Sequence, residues 1–164
     1  MKQLISLLLS AALLLCLAGC QSSDSNSAQF YYCCNPENRS YFEENSMILA
    51  ESRDLTGHRT DLHYMLGLYL AGPKDEDLVV PFSRQTKLLS VRQENETIVV
   101  ELSDHTMSLS DSEFSLSCAC LTMTCMDFVQ CQSVTIRSGD RSVTMTRDNI
   151  ILKDTLPQQE STGG

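Results

Sequence analysis

The chain has 164 residues, with 21 acidic residues against 12 Lys and Arg, for a formal charge of −9 with the histidines neutral. That acid excess excludes a basic nucleic-acid footprint and opposes docking on anionic lipid through protein charge. The absence of Trp and the scarcity of other aromatics make a poor composition for a carbohydrate-stacking site.

Lys2 supplies a short positive start, and Leu4 to Leu17 is an almost unbroken apolar run. The run is shorter than the roughly 20 residues a membrane-spanning helix needs, and it fits the apolar core of an export signal. It ends in Leu17-Ala18-Gly19-Cys20, the pattern of a lipobox. Small residues let the backbone enter a signal peptidase, and the Cys20 thiol is the atom that would carry diacylglycerol. The polar tract from Gln21 to Ser27 reads as a flexible tether. The expected division is a lipoprotein signal peptide over 1–19, the lipidated Cys20 and tether over 20–28, one domain over 29–154 and a disordered tail over 155–164. About 145 residues remain after the signal, enough for one domain with its own core. The expected location is the extracytoplasmic face of the cell membrane, anchored by lipid (diacylglycerol and palmitate) rather than spanning.

Gln29–Cys34 is aromatic and apolar, which predicts a β-strand. Tyr31 and Tyr32 then point to opposite faces, one into the core and one partly exposed. Asn35-Pro36-Glu37-Asn38 is a turn cluster, and Ser46–Glu51 a short second strand. His58, Arg59, Asp61 and His63 invite a metal or acid/base reading, but His63 follows Leu62 on the solvent side of the next helix, and the group reads as a solvated polar face.

Leu62, Met65, Leu66, Tyr69 and Leu70 fall at i, i+3, i+4, i+7 and i+8, one stripe of an α-helix. Gly72-Pro73 stops it, since Gly takes the left-handed conformation and Pro cannot continue the ladder. An acidic loop, Lys74–Asp77, precedes two runs, Lys87–Arg92 and Thr97–Leu102. In the second, Ile98, Val100 and Leu102 alternate with Val99 and Glu101, a strand with one buried face. Glu94-Asn95-Glu96 forms the hairpin turn, since Asn tolerates positive φ.

Leu109–Gln130 reads as the second long helix, with Asp104 or Ser108 placed to cap it. Phe114, Cys118, Leu121, Cys125, Phe128 and Val129 form one stripe, with Ser115, Thr122 and Asp127 elsewhere. Thr122 and Thr124 lower helix propensity, so packing must hold it. Gln132–Arg137 is a strand, Ser138-Gly139-Asp140 a turn, Ser142–Thr146 the return strand and Asn149–Lys153 a last edge segment.

These pieces together resemble the GerMN domain family of spore-germination proteins and related envelope lipoproteins. The resemblance is carried by the helix running into Leu70-Ala71-Gly72-Pro73, by Pro81, by Thr86–Val91, by the strand ending in Leu102-Ser103, and by Val134-Thr135-Ile136 with Gly139. It implies an extracytoplasmic α+β scaffold in a larger assembly of envelope proteins, and no reaction. A tandem pair of such domains occurs in the family, whereas one copy is present here.

Cys16 leaves with the signal and Cys20 takes the lipid, leaving Cys33, Cys34, Cys118, Cys120, Cys125 and Cys131. An even number outside the cell suggests disulfides. Cys118 and Cys125 lie about 10 Å apart along a helix, beyond the roughly 7 Å between Cα atoms that a bridge allows. Cys118 and Cys120 differ by about 200° around it, so they cannot share a metal. Cys118 and Cys125 read as small core hydrophobes; the alternative for the set is one bridge from the first strand to the helix, through Cys33 or Cys34.

The fold class expected is α+β: a two-layer sandwich with an antiparallel or mixed sheet covered on one face by two helices. No catalytic residue, cofactor or metal is expected, since Glu43, Glu44, Asp75, Glu76 and Asp77 are loop acids without an apolar frame. The function expected is a membrane-anchored lipoprotein with a protein-interaction domain, acting in sporulation or germination. The alternative is an envelope lipoprotein that binds a cell-wall component or small ligand.

Overall fold

The computed structural model describes residues 26–35, 37 and 47–150. The lipobox residues Leu17, Ala18 and Gly19, the lipidation residue Cys20 and the expected tail over 155–164 lie outside the described residues. The elements run β1 (Ser27–Cys34), β2 (Ile48–Asp54), α1 (Leu62–Ala71), β3 (Leu78–Val79), β4 (Leu88–Glu94), β5 (Thr97–Leu102), α2 (Asp111–Phe128), β6 (Ser133–Ser138) and β7 (Arg141–Thr146). A 3-10 turn covers Asp104–Ser108, and one helical turn, Arg147–Ile150, follows β7.

The class is α+β, as expected, and the strands divide into two sheets. A three-stranded sheet has the order β2-β1-β3, and a four-stranded sheet the order β4-β5-β6-β7. The first is antiparallel throughout. The second is mixed, because β5 and β6 are parallel neighbours. Parallel neighbours need a crossover of a dozen residues or more, and α2 supplies it. It packs against β1 of one sheet and against β6 and β7 of the other, while α1 packs on β4.

Local sequence explains most of these elements. The Asp61 side chain accepts the Tyr64 N–H at 2.9 Å and caps α1. Met65, Leu66 and Tyr69 are fully buried on its stripe, and Gly72 ends it at φ +99°, a conformation open to Gly alone. In β1, Ala28, Phe30 and Tyr32 alternate into the core, and Tyr31 faces outward, half-buried. Tyr32 stacks on Tyr69 with ring centroids 4.9 Å apart and planes 5° from parallel, and its hydroxyl donates to the Tyr69 carbonyl at 3.3 Å. Asn95 turns the β4–β5 hairpin at φ 56°.

Several expectations are corrected. Ser27 and Ala28, assigned to the tether, belong to β1, where Ala28 pairs with Arg53 and is buried. The second strand runs to Asp54, three residues further than the sequence suggested. β3 went unseen because two residues give no periodicity. The cap of α2 is Ser110, not Asp104 or Ser108: its side chain accepts from Glu113 N–H, and the Glu113 carboxylate accepts the Ser110 N–H at 2.8 Å, a capping box. Asp104 and Ser108 are taken up in the 3-10 turn instead. The last edge segment is a helical turn where it is described.

A buried ion pair fastens the end of α1 to β2. Arg53 is 6% exposed and is paired with Glu51. The guanidinium donates to the Gly72 carbonyl at 2.7 Å and lies 5.7 Å from the Phe30 ring centroid. The other oxygen of Glu51 accepts the Lys74 and Asp75 N–H groups at 2.8 and 3.0 Å. The helix stop and the following loop are thus bonded to β2, which sequence spacing alone does not show. Removing one member of such a pair leaves the other uncompensated, so Arg53→Met is expected to cost about 3 kcal/mol. Urea denaturation checks this: the midpoint should fall with the slope unchanged, and an unmoved midpoint would contradict the assignment.

Candidate functional site

The motif residues named from sequence do not converge on one point; they act as fasteners around the hairpin. Leu70 is half-buried and Ala71 exposed at the end of α1, with the Gly72 carbonyl bonded to Arg53 and Pro73 following it half-buried. Pro81 presents its carbonyl to the Ser117 hydroxyl of α2 at 2.7 Å. Leu102 is buried at the end of β5. Ser103 then ties three segments: its N–H donates to the Lys87 carbonyl at 2.9 Å, its hydroxyl accepts the Lys87 N–H at 3.0 Å, and its carbonyl accepts the Ser138 hydroxyl at 2.7 Å. His58, Arg59, Asp61 and His63 are all exposed, as read, with His58 stacked on Tyr64 at 3.7 Å.

The four-stranded sheet builds an extended surface. Ile98, Val100 and Leu102 face the core with Val134 and Ile136, so the alternate residues form the opposite face. In register across it lie Glu94, Thr97, Ser133 and Thr146; then Arg92, Val99, Thr135 and Thr144; then Ser90, Glu101, Arg137 and Ser142. Neighbouring hydroxyls bond across strands: Thr97 with Ser133 at 2.8 Å and Thr135 with Thr144 at 2.9 Å. Ser90 donates to Glu101 at 3.0 Å, and Arg92 pairs with Glu94. Among the described residues, β4 and β7 are the outer strands. A bulge between Leu88 and Ser90 turns Leu89 of β4 outward, where it is 58% exposed. The face carries hydroxyls and both signs of charge at fixed spacing, with Val99 buried among them at 3% exposure.

A shallow cleft opens where α2 ends and β6 begins. It has a volume of about 220 Å³ and is lined by Glu96, Met126, Gln130, Cys131, Gln132 and Arg147.

The second organised feature is interior and was only partly legible. Cys33 of β1 and Cys120 of α2 bring their sulfurs to 3.8 Å. Cys118 and Cys125 are fully buried, in keeping with the core role read from the stripe. Cys34 follows Cys33 on β1 and is half-buried, its N–H donating to the Met47 carbonyl at 3.1 Å. Around these thiols Tyr69 is fully buried, and its hydroxyl finds no hydrogen-bond partner among the described residues. Burial pushes its phenol well up, and nearby Cys120, Tyr32, Cys33 and Cys125 add to the shift. Burial likewise raises Tyr32 and Cys125, and pushes the Cys118 thiol up to about 12. Cys33 moves the other way: the hydrogen bond with Cys120 lowers it, against burial.

No protein-family profile matches the chain, and no curated protein matches it. Among solved structures, the chain is similar to a Clostridium perfringens protein provisionally called a lipoprotein, at 15% identity and a TM-score of 0.48, over 75% of this chain and 88% of that one. It is also similar, at 15% identity and a TM-score of 0.48, to the tandem GerMN domains of the sporulation protein GerM from Bacillus subtilis. That likeness covers 70% of this chain and 39% of the tandem structure. Neither likeness lends this chain a function.

The buried thiols and phenols carry a pH signature. In the native state they hold their protons above the ordinary values of 9.0 for Cys and 10.0 for Tyr. The unfolded chain therefore releases protons first as pH rises, and stability falls wherever the native state binds more. Their contribution is whole below about pH 9 and is lost progressively toward about pH 12. Denaturation midpoints measured across this range should fall steadily above the lower limit, and a flat profile would contradict burial of the cluster.

Proposed function

We propose that the protein is a lipid-anchored extracytoplasmic interaction domain that docks onto other envelope proteins during sporulation or spore germination. The observation that carries the anchor is Leu17-Ala18-Gly19-Cys20 at the end of an apolar run too short to span a bilayer. Among the described residues, no helix is long and apolar enough to cross a membrane. The docking role draws on the four-stranded sheet, whose polar face and outer strands present hydroxyls, charges and the outward Leu89. The sporulation setting draws on the order and spacing of the motif pieces that resemble the GerMN family.

The alternative reading is a lipoprotein that binds a cell-wall component or small ligand. The cleft lined by Glu96, Met126, Gln130, Cys131, Gln132 and Arg147 is a concave place of mixed polarity that such a ligand would take.

The test is a fluorescent-tag fusion followed in the host through growth and sporulation, beside Cys20→Ala. The wild-type chain is expected in the membrane fraction and enriched at the engulfing septum, and the variant should lose both. Retention of Cys20→Ala in the membrane overturns the anchor. A uniform wild-type membrane signal, unchanged on sporulation, overturns the sporulation role and turns attention to wall components.

A further inference from the structure

β1 and α2 are far apart in sequence, yet one pair of side chains on them carries the same reactive chemistry. Cys33 and Cys120 are both free thiols, with sulfurs 3.8 Å apart. Their environments differ. Cys33 is half-buried near the end of β1, whereas Cys120 is fully buried on the face of α2 that meets β1. The helix is held to β1 along one side of the contact, where Thr124 accepts the Tyr31 N–H at 2.9 Å and Asp127 accepts the Gln29 N–H at 2.8 Å, and beyond the contact Ser117 donates to the Pro81 carbonyl at 2.7 Å. The approach of the two sulfurs is thus part of the packed joint, and a bond requires them to close from 3.8 Å to about 2 Å.

We propose that Cys33 and Cys120 are a dithiol–disulfide pair, with Cys33 the attacking thiol and Cys120 the resolving thiol. A half-buried thiol can meet an oxidant, and a fully buried one can react only with its neighbour. Thiol–disulfide exchange proceeds through a mixed disulfide, so the two roles need one accessible sulfur and one adjacent sulfur. The hydrogen bond from Cys120 favours the thiolate on Cys33, which is the nucleophilic form. Cys120 holds its proton more tightly, because it faces Cys33 and is buried.

The oxidant is a disulfide, either of a thiol oxidoreductase or of an oxidised low-molecular-weight thiol. The Cys33 thiolate attacks one sulfur of that disulfide, forming a mixed disulfide and releasing the other sulfur as a thiolate that takes up a proton. Cys120 then attacks the Cys33 sulfur, its proton passes to the second leaving thiolate, and the Cys33–Cys120 bond forms. Two electrons pass to the oxidant, which ends as two thiols, and the protein loses two S–H hydrogens. The product joins β1 to α2 and closes a long stretch of the chain. That lowers the entropy of the unfolded state, and a rise in Tm on the order of 10 °C is expected. In the cell this oxidation rests on the extracytoplasmic location proposed above, since disulfides persist in oxidising compartments. The chemistry of the pair does not.

The test uses the full chain, purified in detergent and equilibrated in glutathione buffers from fully reduced to fully oxidised, then alkylated and mapped by mass spectrometry. The expected result is joint loss of Cys33 and Cys120 alkylation, with a crosslinked peptide containing both and a Tm that rises with oxidation. Cys120→Ala should instead accumulate a glutathione adduct on Cys33. Both residues remaining alkylatable in oxidised buffer would overturn the pair, as would a crosslink from Cys33 to any other cysteine. A Cys120→Ala chain that stays unmodified at Cys33 would overturn the assignment of the attacking thiol. Because the buffer sets the redox state, a negative result here is distinct from failure of the anchor, which membrane fractionation of Cys20→Ala reads separately.

Discussion

The structure depends on how one edge of β1 is closed. On its other side β1 pairs with β2 along nearly its whole length, but β3 reaches only Cys33 and Cys34. The remaining edge is met by α2: the N–H groups of Gln29 and Tyr31 donate to Asp127 and Thr124. The Tyr31 bond is part-buried and the Gln29 bond exposed; a buried backbone donor left unmet costs about 1–3 kcal/mol, more than the roughly 1 kcal/mol a satisfied bond contributes. The helix must therefore sit in this register against the strand. Ser117, Cys120, Thr124 and Asp127 fall at i, i+3, i+7 and i+10, so one side of α2 supplies the bonds to Pro81, to Cys33 and to the strand edge. Thr124 also donates back to the Cys120 carbonyl at 2.9 Å, which fixes its rotamer.

The other side of α2 carries the apolar stripe. Phe114, Cys118, Leu121 and Cys125 are fully buried or nearly so, and the helix also contacts β6 and β7. Arg141 of β7 lies 3.9 Å over the Phe114 ring and donates to the Leu109 carbonyl at 2.8 Å, securing the start of the helix. One helix thus joins two sheets by unlike means: hydrogen bonds and a thiol contact toward β1, apolar burial toward the four-stranded sheet. Among the described residues, the outer strands then include β4 and β7 of the four-stranded sheet and β2 of the other, and the docking role proposed above draws on the first two.

Much of this was legible in the residues, and the losses have definite causes. α1, its stop at Gly72 and the β4–β5 hairpin were readable because each has one buried face and a clean period. β1 showed its aromatic alternation but not its true start, since Ser27 and Ala28 look like tether when composition is the guide. The stripe of α2 holds, yet Thr122, read as lying off it, is fully buried, as is Thr124. Periodicity marks an apolar face; it cannot mark a second buried face, such as the one from which Thr124 meets the Tyr31 N–H. For the same reason Cys33 could be named as a strand-to-helix candidate while its partner, Cys120, could not. The fastening of the α1 stop by Arg53 and Glu51 was invisible, because a buried ion pair leaves no sequence pattern.

The claim that α2 closes the β1 edge is tested most directly by amide hydrogen exchange at Gln29 and Tyr31 in the native protein. Both amides are expected to exchange more slowly than those of an uncovered strand edge, because opening them requires α2 to leave. Exchange at the rate of an uncovered strand edge, with α2 amides still protected, would contradict it.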